Sequence, residues 1–212
     1  MTVSGDQLHL DKDGFPWPQA NDDPTLLNDG SRLVACLGFA FDVPWYGYAE
    51  GFLRLADEGV ASIEESGHGH DFLVYPILYN YRHYIELSLK VVISDARNLF
   101  GIAEQLPRTH DLLVLWDVAQ PLLEEVNPES ADLYGNVRAS IERFNQLDPT
   151  AEGFRYPVTS KGAPTLPGLR NLDLGQVRDV VRRLEAFFSV AQDELQRRIE
   201  TEREIAQAYE TY

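Results

Sequence analysis

The chain is short of cysteine, of basic residues and of long apolar runs, and each shortage removes a class of protein. A single cysteine, Cys36, in 212 residues allows no intramolecular disulfide and no cysteine-based zinc site, which fits a reducing compartment. No stretch reaches the roughly 18 apolar residues that a bilayer span requires. The start, Met1-Thr2-Val3-Ser4-Gly5-Asp6, lacks the basic and apolar regions of a signal peptide. A soluble, cytoplasmic protein without a membrane partner is therefore expected. Lys plus Arg total 18 against 34 Asp plus Glu, a formal net charge of −16 with a pI near 4.6. Such a field repels polyanions and disfavours a broad nucleic-acid groove. Most of the few basic residues are arginines, suited to paired or phosphate-facing roles, so a local basic pocket remains open. Also absent are a Gly-x(4)-Gly-Lys-[Ser/Thr] phosphate loop, a dinucleotide fingerprint, a Gly-x-Ser-x-Gly elbow and a His-Glu-x-x-His pair. Cys36 sits in an apolar run and reads as a core residue rather than a nucleophile.

What is present is ordinary globular material, 44% hydrophobic and 25% charged, enough for one domain with a decorated terminus. Residues 1–30, broken by Gly14, Pro16, Pro18, Pro24 and Gly30, suit an irregular arm docking through Phe15 and Trp17. The run Leu33–Phe41 fits either a strand or buried helical turns. Apolar positions Tyr48, Phe52, Leu55, Val60 and Ile63 predict a helix from Tyr46 to about Glu65, and Ser66–His70 a loop. A long helix to about Phe100 follows, with Pro76 placed in its first turn. It is apolar on most of its circumference and should lie at the centre of the fold. Thr109 is expected to cap a helix from His110 to about Val126 that Pro121 kinks or ends early. Pro128-Glu129-Ser130 opens another, with a stripe of Leu133, Val137, Ile141, Phe144 and Leu147. Residues 148–172 carry enough Pro and Gly to form a wandering loop, and Asp173 caps a last helix to about Tyr209 with Val190 among its inward residues. The fold class is all-α, a bundle of about five helices, divided into an arm with an accessory helix over 1–70 and the bundle over 71–212.

Three groupings carry chemistry. Arg82, Glu86 and Lys90 follow at i, i+4 steps on one face of the central helix, as either a structural ion-pair row or a ligand or phosphate site. His83 lies about 100° round the helix from Arg82, so adjacency alone makes no pair. His110 and Asp111 are placed in the first turn of their helix, where an acid is favoured and free amides bind anions. Arg155, in Phe154-Arg155-Tyr156-Pro157, is a guanidinium that flanking aromatics either dock or aim. His68, His70 and Asp71 are a weak metal pattern, and neither a metal nor a cofactor is expected.

The segments Arg82–Lys90, Thr109-His110-Asp111-Leu112, Phe154-Arg155-Tyr156-Pro157 and the terminal amphipathic helix, in that order, resemble the HEPN superfamily over about residues 71 to 195. The resemblance implies a compact helical bundle, commonly dimeric, either a metal-independent ribonuclease of toxin–antitoxin, phage-defence or RNA-processing systems or an inactive nucleotide-binding or partner subunit. The nuclease members pair an Arg with a His a few residues later. Here the histidines at 9, 68, 70, 83 and 110 have no Arg five to seven positions before them. The expectation is a non-catalytic HEPN-like module, binding a partner protein, a second copy or a small anionic ligand through Arg82, Glu86, Lys90, His110 and Arg155. The alternative is a metal-independent ribonuclease with a rearranged site using His83 or His110 with Arg82 or Arg155, the His as acid or base and the Arg stabilising phosphate charge.

Overall fold

A computed structural model describes residues 32–35 and 44–210. The arm over 1–30, Cys36 and most of the run Leu33–Phe41 lie outside the described residues. The chain divides into two units, Met1–Ala40 and Phe41–Tyr212. Of the first, the described residues form a turn at Arg32 and Leu33. The second holds five α-helices, with no strand among the described residues: α1 (Pro44–Ser66), α2 (His70–Leu99), α3 (Leu112–Val126), α4 (Ala131–Leu147) and α5 (Leu174–Glu210), with a 3-10 turn at Pro128–Ser130 leading into α4. The all-α architecture is as the periodicity predicts. None of these helices is long and apolar enough to cross a membrane.

Helix α2 is central because it has no solvated face over its middle. Ile85, Leu89, Val92, Ile93 and Ala96 are fully buried, and α1, α3 and α5 pack around it. Helix α1, expected as an accessory to the arm, lies in the same compact unit as the bundle and packs along α2 through Ala49, Leu53, Ala56 and Val60. Polar ties fix its register. The Tyr81 hydroxyl donates to Asp57 Oδ1 at 2.7 Å, and Arg178 of α5 grips Glu64 with both terminal nitrogens, at 2.7 and 2.8 Å.

Several boundaries differ from the sequence reading, each for a local reason. Helix α2 starts six residues before Pro76, at His70, because Gly69 turns the chain at φ 88°. Pro76 is therefore inside the helix, where it leaves the Phe72 carbonyl without an intrahelical donor one turn from the start. Helix α3 continues through Pro121 to Val126. Its N-cap is Asp111 rather than Thr109: Oδ1 of Asp111 accepts from the amides of Leu113 and Val114 at 2.9 and 3.2 Å, while Thr109 Oγ1 accepts from the Asp111 amide. His110 consequently precedes the helix instead of sitting in its first turn. In α4 Leu133 is exposed and Tyr134 takes its inward place, its hydroxyl donating to the carbonyls of Leu123 and Asn127. In α5 Val190 faces outward at 69% exposure, while Val181, Leu184, Phe188, Leu195 and Ile199 are buried.

Because Asp111 satisfies two otherwise orphaned amides, Asp111→Ala is expected to lower stability by about 1 kcal/mol, within a range of roughly 0.5–2. Thr109→Ala, which removes one acceptor outside the helix, is expected to cost less. Urea unfolding of both variants, followed by circular dichroism, checks the order.

Candidate functional site

Spacing on α2 sets Arg82, Glu86 and Lys90 one above another, and the loop before α3 brings His110 to the same point. The Glu86 carboxylate is the centre. At 1% exposure it receives Lys90 Nζ at 2.7 Å and His110 Nδ1 at 2.9 Å on Oε1, and Arg82 NH1 at 3.4 Å on Oε2. His83 Nδ1 stands 4.0 Å from Oε2. Four nitrogen-bearing side chains thus ring one buried carboxylate. Burial alone raises the carboxyl's pKa, but the hydrogen bonds and charges of Lys90 and His110 outweigh it and hold Glu86 below the ordinary carboxylate value.

The ring is not uniformly accessible. The side chain of Arg82 is 1% exposed and wholly occupied, its Nε donating to the Asp148 carbonyl at 2.8 Å and NH2 to the His110 carbonyl at 2.6 Å. It is a positioning group that no ligand reaches in this arrangement. Lys90 is 12% exposed, and His110, at 65%, is open to solvent. With the carboxylate ionised, the shared hydrogen belongs on His110 Nδ1, which leaves Nε2, across the ring, with no partner among the described residues. His83 is set among rings instead, stacked on Tyr79 at 5.6 Å and edge-on to Phe52 at 4.4 Å. Burial there pushes its imidazole pKa down.

Arg155 lies apart from this cluster. Its guanidinium sits over the Tyr79 ring at 5.8 Å, and Tyr79 in turn stacks on His83, so two rings separate it from Glu86. The predicted five-residue constellation is therefore four groups at one point and a fifth on the wall of a neighbouring cleft. No family model, curated protein or solved structure matches the chain. Among the described residues no group of three His, Cys, Asp or Glu side chains is arranged to hold a metal, and His70 and Asp71 line the cleft beside Arg155.

Residues that the sequence did not single out complete the site. Asp148 gathers the amides of Glu152 and Gly153 on Oδ1 at 3.1 and 3.0 Å, and that of Phe154 on Oδ2 at 3.4 Å. This shapes the loop that carries Arg155. Gly153 is tightly packed there: a Cβ would come within 2.9 Å of a Leu166 methyl and 3.2 Å of Asp148, so those side chains would have to shift. Asn145 accepts the Leu112 amide at 3.0 Å and ties α4 to the start of α3. The Asp-Pro-Thr that follows α4 is a turn signal and agrees with the local amides that the Asp148 side chain takes, but the contact of its carbonyl with Arg82 is tertiary and has no local signal.

Removing the hub should be costly: Glu86→Ala leaves Arg82 buried beside an empty space, and a loss of about 3–5 kcal/mol is expected from chemical denaturation. The native carboxyl has a lowered pKa, so its stabilisation is complete above the reference value of 4.5 and fades as pH falls through the native value. The stability gap between wild type and Glu86→Gln should therefore narrow on acidification below pH 4.5. His83 works in the same direction for a different reason. Its native pKa lies below the reference 6.5, so the unfolded chain takes up the proton first and stability declines as pH drops below 6.5. Melting curves of His83→Phe between neutral pH and pH 5 should lack that part of the decline.

Proposed function

We propose that the chain is a non-catalytic HEPN-like module that binds a small anionic ligand, or an acidic segment of a partner protein, where Lys90 and His110 reach the surface around Glu86. The observation that carries this reading is the local charge. One carboxylate is surrounded by two permanent cations and two imidazoles in a chain of net charge −16. Glu86 is already saturated by its internal donors, so it holds the basic groups in place instead of serving as a free base. An anion arriving at His110 Nε2 and Lys90 meets donors whose geometry is fixed in advance. The HEPN resemblance adds the expectation of dimers and of a toxin–antitoxin or phage-defence setting.

A second reading, a metal-independent ribonuclease with a rearranged site, is favoured by one feature: Glu86 orients His110 through Nδ1 and leaves Nε2 with no partner among the described residues, an arrangement suited to general acid–base work. Against it stands the charge of the whole chain, which opposes a polyanion.

Titration with inorganic phosphate, followed through the histidine ring resonances, separates the outcomes. Phosphate is expected to shift the His110 signals at millimolar concentration, and Lys90→Met or His110→Ala to weaken binding about tenfold, equivalent to roughly 1.4 kcal/mol. Unmoved His110 signals would reject the anion site. Mixed RNAs incubated with the protein in chelator should stay intact; cleavage that His110→Ala abolishes would establish the ribonuclease reading instead.

A further inference from the structure

The cleft beside this cluster is a separate feature with its own chemistry. It measures about 830 Å³ and runs between the first two turns of α2 and the loop joining α4 to α5. That volume falls in the range of small-molecule sites, on the order of 300–1,000 Å³. Its lining mixes polar groups with the apolar side chains of Val74, Leu78, Phe154 and Leu166, with Tyr75 and Tyr156 half-exposed at 49% and 56%.

Two arginines stand on this lining. Arg155 is held in advance: Nε donates to the Ala151 carbonyl at 2.7 Å, and the guanidinium lies over the rings of Tyr79 and Tyr156 at 5.8 and 5.5 Å. Among the described residues its two terminal nitrogens have no hydrogen-bond acceptor and no ion-pair partner. Arg170 lines the same cleft and has no ion-pair partner among the described residues either. In a chain with nearly twice as many acids as bases, two arginines unpaired with any described residue in one cleft are a marked excess. Among the described residues the only acid on the lining is Asp71.

From this lining we infer that the cleft binds a small aromatic carboxylate, its acid group paired with the terminal nitrogens of Arg155 and its planar body against Tyr75 and Tyr156. A guanidinium whose Nε is already occupied offers one flat edge of two donors, which matches the two oxygens of a carboxylate. With Asp71 on the lining the two arginines leave one positive charge in excess, which a single carboxylate neutralises and a phosphate dianion overshoots, so charge matching favours the carboxylate. Amphipathic rings at a half-exposed rim favour a planar apolar body over a sugar or a bare ion. This site is independent of the Glu86 cluster, and its ligand need not be the anion proposed there.

Calorimetric titration of the whole chain with indole-3-acetate, its neutral analogue indole-3-ethanol and adenosine monophosphate tests the assignment. Saturable binding of indole-3-acetate is expected, with the alcohol and the nucleotide each at least about tenfold weaker. Arg155→Gln and Tyr75→Ala should each weaken the acid about tenfold; Tyr75 lies on α2 away from the Arg155 loop, so a loop rearrangement in the first variant does not compromise the second. Lys90→Met should leave this affinity unchanged. No saturable binding, equal affinity for acid and alcohol, tighter binding of the nucleotide, or indifference to both cleft substitutions would each overturn the inference. Loss of binding in Lys90→Met would place the acid at the Glu86 cluster and overturn it as well.

Discussion

The Arg82 guanidinium is the interaction on which both the Glu86 cluster and the loop carrying Arg155 depend. It joins three stretches of chain that are far apart in sequence, accepting no solvent and donating to the Asp148 carbonyl, the His110 carbonyl and Glu86. Burial pulls its pKa below the ordinary arginine value, and the charges of Asp148, Glu86 and Asp111 work against that pull. An arginine suits this role because it stays protonated under such burial and has donors in several directions, where a lysine would offer a single nitrogen. Deprived of these bonds, the loop before α3 and the loop after α4 would have no common anchor on α2.

From that anchor the arrangement propagates outward in two directions. Toward α3, the fixed His110 carbonyl sets the ring so that Nδ1 meets Glu86, and Asp111 next to it caps the helix. Toward α5, Asp148 collects three amides and turns the chain through Ala151, whose φ of 61° is left-handed and costs on the order of 1–2 kcal/mol for a residue with a Cβ. The Ala151 carbonyl exposed by that turn is the acceptor that orients Arg155. A strained backbone position is thus coupled to the direction of a guanidinium far along the chain from the helix that anchors it, which is how local strain is kept at sites that need a fixed geometry.

What could be read from the sequence follows from which interactions are local. The all-α class, the central place of α2 and the shared face of Arg82, Glu86 and Lys90 rest on helical periodicity, which is a property of a few consecutive turns. The choice between Thr109 and Asp111 as cap was hidden because both side chains suit that role and only the backbone turn decides between them. Pro76 misled for a related reason: a proline marks the first turn well, but here a left-handed Gly69 starts the helix earlier. Leu133 and Val190 fit the apolar period yet face outward, while Tyr134 and Leu195 are among the residues that α4 and α5 bury. The separation of Arg155 from the Glu86 cluster depends on Tyr79, a residue of the central helix whose role emerges only when the distant loop folds over it.

Net charge and local charge now pull in different directions, and distance decides between them. At physiological ionic strength a charge is felt over about 8 Å, so an anion within the ring at Glu86 or at the Arg155 edge responds chiefly to the cations it touches. A nucleic acid cannot restrict itself in this way, because successive phosphates lie over neighbouring surface as well, and on this chain that surface is dominated by acids. The same acidic field that discourages a long polyanion leaves a one- or two-charge ligand almost unaffected once it has reached its donors. A small basic cluster on an acidic protein is therefore selective by size of anion, and this selectivity favours binding of a small ligand over processing of RNA at the same residues.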